Sequence, residues 1–240
     1  MIRVLQILTD SNIGGAGRLL VNYLHNFDKT AFEMLIVLPE NAELIPLVEA
    51  EGYPVRQIEN GRDKSFDMAA VGELKAVIRE YRPDIVHCHS SFSGKLAAWL
   101  CGVHGRFYTR HCAFPQPKKL TTFPGKQING LVNNTLSTHI VAVAQAAMDD
   151  LTVTGVDPKK ITVIINGSEE VRRIGDKSNL ALKQELKIPD SAFVCGISAR
   201  LEDYKGHTYL LQAAAKLKDS HPHLRYLVIG GGSMEEALKA

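Results

Sequence analysis

The sequence has little of what ties a chain to a special environment or to a ready-made chemistry. Its four cysteines, Cys88, Cys101, Cys112 and Cys195, stand singly with no C-x-x-C pair. A disulfide scaffold is ruled out, and scattered single cysteines read as reduced intracellular thiols. No apolar run approaches the ~18–20 residues that cross a bilayer. Met1–Asp10 fails as a signal peptide, because its apolar run is short and meets Asp10 in place of a small-residue cleavage site. The expected location is therefore cytoplasmic. An excess of one charge is missing too: 28 Lys+Arg face 26 Asp+Glu, a formal net of +2. A nucleic-acid partner, which needs a basic face, is not expected.

Reaction motifs are equally sparse. There is no G-x-S-x-G elbow, which argues against an α/β-hydrolase, and no H-E-x-x-H or D-x-D pair is present either. The glycine loop at Gly14-Gly15-Ala16-Gly17 has Leu20 where the dinucleotide fingerprint needs its third glycine, and no Gly-Lys-Ser/Thr follows it.

What is present is an ordinary globular composition, 45% hydrophobic and 22% charged, in 240 residues. At about 150 residues per domain that is roughly 1.6 domains. Short β-branched runs alternate with longer amphipathic ones. Strands are expected at Ile2–Leu8, Met34–Leu38, Val55–Ile58, Ile85–His89, Phe107–Thr109, Ile140–Ala144 and Ile161–Ile165. Helices are expected at Ala16–Asn26, Ala42–Glu51, Met68–Tyr81, Gly94–Cys101, Pro124–Leu136 and Ala146–Thr154. Continuous apolar strands such as Ile161–Ile165 read as buried on both faces, and the alternation argues a doubly wound parallel sheet. Residues 166–179 turn polar and read as a linker. After them come a helix at Leu180–Leu186, a strand at Phe193–Ser198, a helix at Lys205–Leu217, a strand at Tyr226–Ile229 and a helix opening at Ser233. The expected division is a complete domain at 1–167, a linker with a leading helix at 168–190, and a partial second domain at 191–240.

Four constellations could carry chemistry. Gly14 and Gly15 open the first helix, where backbone N–H groups favour anions. His87 and His89 share one face at the end of a buried strand, lining the crevice where open α/β sheets bind ligands. A metal there lacks a third ligand. Arg110 and His111 end the next strand, where a histidine can contact a sugar hydroxyl or stabilise developing charge. Lys118, Lys119 and Lys126 follow, and could meet a phosphate or an anionic membrane surface, although three charges suit a solvated loop better. Finally, Arg200 after a strand and Lys205 before a helix form a diphosphate site, unless Arg200 pairs with Glu202 or Asp203. Gly231, in a glycine triplet, offers a further close backbone approach to a nucleotide.

Taken together, Gly14-Gly15-Ala16-Gly17-Arg18, Pro83-Asp84-Ile85-Val86-His87-Cys88-His89, Thr109-Arg110-His111, Ile164-Ile165-Asn166-Gly167 and Ala199-Arg200-Leu201 with Lys205-Gly206 resemble the retaining glycosyltransferase family 4. The resemblance implies the GT-B fold, two facing Rossmann-like domains with a nucleotide-sugar donor such as a UDP- or GDP-sugar between them. It implies a carbohydrate or lipid-linked acceptor, no metal or other cofactor, and a peripheral place at the inner face of the membrane. By position, Arg200 and Lys205 would grip the donor diphosphate, Gly15 would approach the donor, and His111 would sit beside the transferring sugar as the catalytic residue. Gly14, His87, His89 and Arg110 would line the acceptor crevice. The family's pair of glutamates falls beyond Ala240, so an incomplete, poorly active chain is expected. The alternatives are a non-catalytic or split-partner subunit and a nucleotide-sugar epimerase.

Overall fold

A computed structural model describes residues 1–167 and 175–239. The chain forms two compact units, Met1–Glu169 and Glu170–Ala240. The expected linker, 168–190, opens on residues 168–174, which lie outside the described residues.

The first unit alternates strand and helix. It runs through β1 (Ile2–Leu8), α1 (Gly15–His25), β2 (Phe32–Pro39), α2 (Ile45–Ala50), β3 (Val55–Ile58), α3 (Met68–Tyr81), β4 (Ile85–His89), α4 (Phe92–Leu100) and β5 (Gly105–Arg110). There follow α5 (Lys118–Thr121), α6 (Gly125–Leu136), β6 (His139–Ala142), α7 (Gln145–Val153) and β7 (Ile161–Val163). Its seven strands are parallel in the order β3-β2-β1-β4-β5-β6-β7. The sheet grows outward to β3 and then restarts at β4 on the other side of β1, so the topological switch lies between β1 and β4.

The period-two alternation of β1 feeds two cores. Val4 and Leu8 pack with Leu20 and Leu24 of α1, with Leu44, which caps α2, and with Val48 of α2, whereas Leu5 and Ile7 join Val71, Leu74 and Ala97 from α3 and α4. The bounds of α3 follow from local chemistry. The Asp67 carboxylate accepts from the N–H groups of Ala69 and Ala70 at 2.9 and 3.4 Å. The left-handed Arg82 (φ 52) then ends the helix before Pro83.

Three expectations are corrected in this unit. The last strand stops at Val163 and forms the sheet edge, so Ile164 and Ile165 are 55% and 79% exposed instead of buried on both faces. The helix expected from Ala42 starts only at Ile45, because Ala42 and Leu44 first make tight turns. Lys118 and Lys119, expected on a solvated loop, instead open the single turn α5.

The second unit runs α8 (Asp176–Glu185), β8 (Phe193–Ser198), α9 (His207–Leu217), β9 (Leu224–Ile229) and α10 (Glu235–Lys239), with β8 and β9 paired in parallel. A two-stranded sheet can cover little of itself. Among the described residues of this unit only Ala192, Leu201 and His207 are buried. Lys205 does not start α9, as expected, but closes a one-turn 3₁₀ segment, Asp203–Lys205, ahead of a left-handed Gly206. The last helix opens at Glu235, two residues after Ser233.

Candidate functional site

The alternation that buries Val4 and Leu8 places Gln6 between them on the α1 side of the sheet, 1% exposed. Strand β4 pairs His87 with Gln6 and His89 with Leu8, so both histidines join that face. Their rings lie 4.5 Å apart, and His111, just past β5, stacks on His89 at 5.1 Å. A relay of hydrogen bonds links Gln6, His89 and His111. The His89 Nε2–H donates to the Gln6 carboxamide oxygen at 2.9 Å. His89 Nδ1 is then an acceptor, and takes the Nε2–H of His111 at 2.9 Å. This leaves a lone pair on His111 Nδ1, which is buried with no partner among the described residues. His87 Nε2 meets Thr109 Oγ1 at 2.7 Å. Burial, with His111 nearby, pushes His87 down to about 4. Burial alone brings His111 to about 4, and burial carries His89 well below its ordinary value. All three imidazoles are neutral near pH 7.

His87, His89 and Thr109 line a cavity of about 690 Å³, with Leu19, Tyr23, Val141 and Ile164–Gly167 around it. A second cavity of about 440 Å³ lies beside Gly15 and Arg18. Helix α1 has Gly14 as its N-cap with no side-chain cap, which leaves its first N–H groups for a ligand. A Cβ on Gly15 would meet nothing within 4 Å, whereas one on Gly17 would press on Leu44 at 3.2 Å. Gly17 therefore serves packing, and Gly14 and Gly15 leave the backbone open.

Arg110 does not join the histidines. The pleat turns it to the other face, where its Nε–H donates to the Cys112 carbonyl at 3.0 Å and it lines a cavity of about 190 Å³. That cavity also holds Lys95, 2% exposed. Sequence reasoning missed Lys95 and Gln6, because a lone polar residue in an apolar run ordinarily reads as solvent-facing.

In the second unit, Arg200 Nη2 donates to the Tyr204 hydroxyl at 2.8 Å, and Lys205 Nζ lies 5.2 Å from the Tyr204 ring centroid. Glu202 accepts instead from Ser233 Oγ at 2.8 Å. Among the described residues neither Arg200 nor Lys205 has an acidic partner. The glycine triplet packs against the same turn. A Cβ on Gly230 or Gly232 would strike the Ala199 or Leu201 carbonyl at 2.0 or 2.6 Å, while one on Gly231 would meet open space. Sequence reasoning overlooked Tyr204, which brings the two cations together. Among the described residues no three His, Cys, Asp or Glu side chains cluster as a metal site.

Comparison with known proteins gives a consistent picture. D-inositol 3-phosphate glycosyltransferase of Stackebrandtia nassauensis is 30% identical over 62% of this chain and 37% of its own length. The Escherichia coli UDP-Gal:alpha-D-GlcNAc-diphosphoundecaprenol alpha-1,3-galactosyltransferase is 24% identical over 96% of this chain and 65% of its own length. The crystal structure of Anabaena HepE in complex with UDP and glucose matches at a TM-score of 0.76 with 18% identity, covering 99% of this chain and 63% of that one. The likeness to HepE establishes the GT-B fold. The chain spans 37–65% of the length of the curated relatives it matches. Residues 178–240 match the family model Glycosyl transferases group 1. Residues 13–170, about two-thirds of the chain, match the other model, and on that match the chain belongs to Glycosyltransferase Family 4.

Proposed function

We propose that this chain serves the transfer of a sugar from a nucleotide-sugar donor to a carbohydrate or lipid-linked acceptor, without a metal and with retention of anomeric configuration. The observation that carries the reading is the pair Arg200 and Lys205, two cations on one strand-to-helix turn with no acidic partner among the described residues. As the bond from the anomeric carbon to the diphosphate breaks, negative charge grows on the leaving phosphate oxygens. A fixed guanidinium fork and an ammonium stabilise that charge more than they stabilise the ground state, which lowers the barrier. In this reading the second unit supplies Arg200, Lys205 and the open backbone at Gly231. The first unit supplies Gly14 and Gly15 at the N-terminus of α1, neutral His111 for the sugar, and a crevice lined by His87 and His89. Relatives lend support: HepE was solved with UDP and glucose, and the E. coli relative is named for UDP-Gal and a lipid diphosphate acceptor.

Titrating UDP and GDP into the chain tests this. Saturable binding unchanged by EDTA is the expected result, and a strict Mg²⁺ requirement would overturn metal independence. Given an acceptor, proton NMR of the product is expected to show the donor's own anomer, so inversion would refute retention.

We further infer peripheral contact with an anionic bilayer. No helix of the described residues is long and apolar enough to cross a membrane. Around α5 and α6, however, Phe123, Ile128 and Leu131 are 81%, 60% and 70% exposed beside Lys118, Lys119 and Lys126. Apolar side chains with flanking lysines suit the interface of an anionic membrane. Sedimentation with phosphatidylglycerol vesicles, weakened by salt and by Phe123→Ser with Leu131→Ser, is the expected outcome. Equal recovery with and without vesicles would rule the contact out.

A further inference from the structure

The 190 Å³ cavity on the α4–α6 side of the sheet contains two cations and no counter-charge bound to either. Lys95, on α4, is 2% exposed. Its Nζ donates to Asn133 Oδ1 at 2.6 Å and lies 4.2 Å from the Tyr108 ring centroid and 5.3 Å from that of Phe92. Arg110, closing β5, uses its Nε–H on the Cys112 carbonyl. Neither cation forms an ion pair among the described residues.

The acceptors nearby are largely engaged. Asn133 Oδ1 takes the Lys95 proton, Asn129 Oδ1 takes an N–H of Asn133 at 3.1 Å, and one Asp150 oxygen takes the Phe114 N–H at 2.7 Å. The hydroxyls of Ser65 and Thr154 donate to backbone carbonyls. Of the charged groups in the lining, two are cations, and the single carboxylate, Asp150, is outnumbered two to one. A buried ammonium with an amide and two ring faces for company is held at a cost to the fold, which marks a site kept for a ligand. Burial brings Lys95 down to about 8, with Cys88 and Arg110 as lesser influences, so it remains cationic at pH 7.

We propose that this cavity binds an oxyanion, the phosphate or carboxylate of the acceptor, between Lys95 and Arg110. The ammonium supplies a point charge and the guanidinium a planar fork, with Tyr108 and Phe92 as apolar flanks. The word "acceptor" rests on the transferase reading, whereas the preference for an oxyanion stands on the cavity alone.

The test is an NMR titration with inorganic phosphate, and in parallel with acetate, in an Arg200→Ala/Lys205→Ala background that removes the anion site of the second unit. Saturable shifts at Lys95, Tyr108 and Arg110, with a Kd of about 1–10 mM, are expected. Lys95→Met should weaken binding at least about tenfold. Arg110→Gln, at a strand end and independent of the buried position, should weaken it as well. Tighter phosphate than acetate identifies a phosphorylated acceptor, and the reverse an acidic sugar. No saturable shift, or affinity unchanged from the parent in both single variants, overturns the proposal. Failure of the transferase reading would show separately, as absent UDP binding by the unsubstituted chain.

Discussion

Replacing Arg200 and Lys205 together by alanine is expected to lower affinity for a nucleoside diphosphate by at least about 100-fold. Each cation can make a charge-assisted hydrogen bond to a phosphate oxygen, worth roughly 1.5–3 kcal/mol, and 1.4 kcal/mol is tenfold in affinity. Both side chains are exposed, so the substitutions should leave stability within about 0.5 kcal/mol. The Tyr204 hydroxyl loses its Arg200 donor but stays in water. Calorimetric titration with UDP and GDP reads the effect directly, and unchanged affinity would remove both residues from the donor site. Gly15→Ala belongs in the same experiment, since a Cβ there meets nothing in the protein. Any loss it causes reports on the ligand alone.

Acidification should cost the first unit much of its stability, and do so in a defined window. His87 and His111 have folded values of about 4 against about 6.5 in an unfolded chain. A histidine whose value is lowered by folding binds fewer protons folded than unfolded. Its contribution is therefore complete above about pH 6.5 and is lost as pH falls towards 4. At 1.36 kcal/mol per pH unit the loss approaches about 3 kcal/mol for each of the two, and the pair rivals a large part of a domain's 5–15 kcal/mol. His89, held well below its ordinary value by burial, adds to the same pH dependence.

The carboxylates act below this window. Burial pushes Asp63 up, but the hydroxyl and amide of Ser11 more than offset it, and a hydrogen bond from Lys64 leads the causes that lower Asp67. Their stabilisation is present above about pH 4 and fades only beneath the usual carboxylate range. Thermal unfolding followed from pH 7 to 4.5 should show a steep fall that His87→Phe flattens. A flat profile between those limits would mean that the histidines are not buried as neutral rings.

How much of this was legible in the sequence depends on whether the signal was local. Met68–Tyr81 could be read to the residue, because Val71, Leu74, Val77 and Ile78 fall at helical spacing and Arg82-Pro83 stops the helix. The sharing of one face by His87 and His89 followed from the pleat alone. Ile164 and Ile165 defeated the reading, since an apolar run looks the same in a central strand and at a sheet edge. Lys205 was placed at a helix start because nothing in Tyr204-Lys205-Gly206 distinguishes a 3₁₀ turn from a first α-turn. Gln6 and Lys95 needed the tertiary structure, since their partners lie 83 and 38 residues away. Arg110 and His111 are neighbours in sequence but serve opposite faces of the sheet.

The strand order bears also on how the first unit comes to be folded. β1 is synthesised well before its second neighbour, β4, which begins only at Ile85. Until His89 has emerged, β1 keeps an open edge of backbone donors and acceptors, and the apolar Leu5 and Ile7 lack most of their core. Closing that pair fixes a loop of about 80 residues before any contact rewards it, the kind of long-range step that slows parallel sheets and leaves their intermediates prone to aggregation. Synthesis rate and chaperone protection while the segment between β1 and β4 is being made should therefore affect the yield of folded protein.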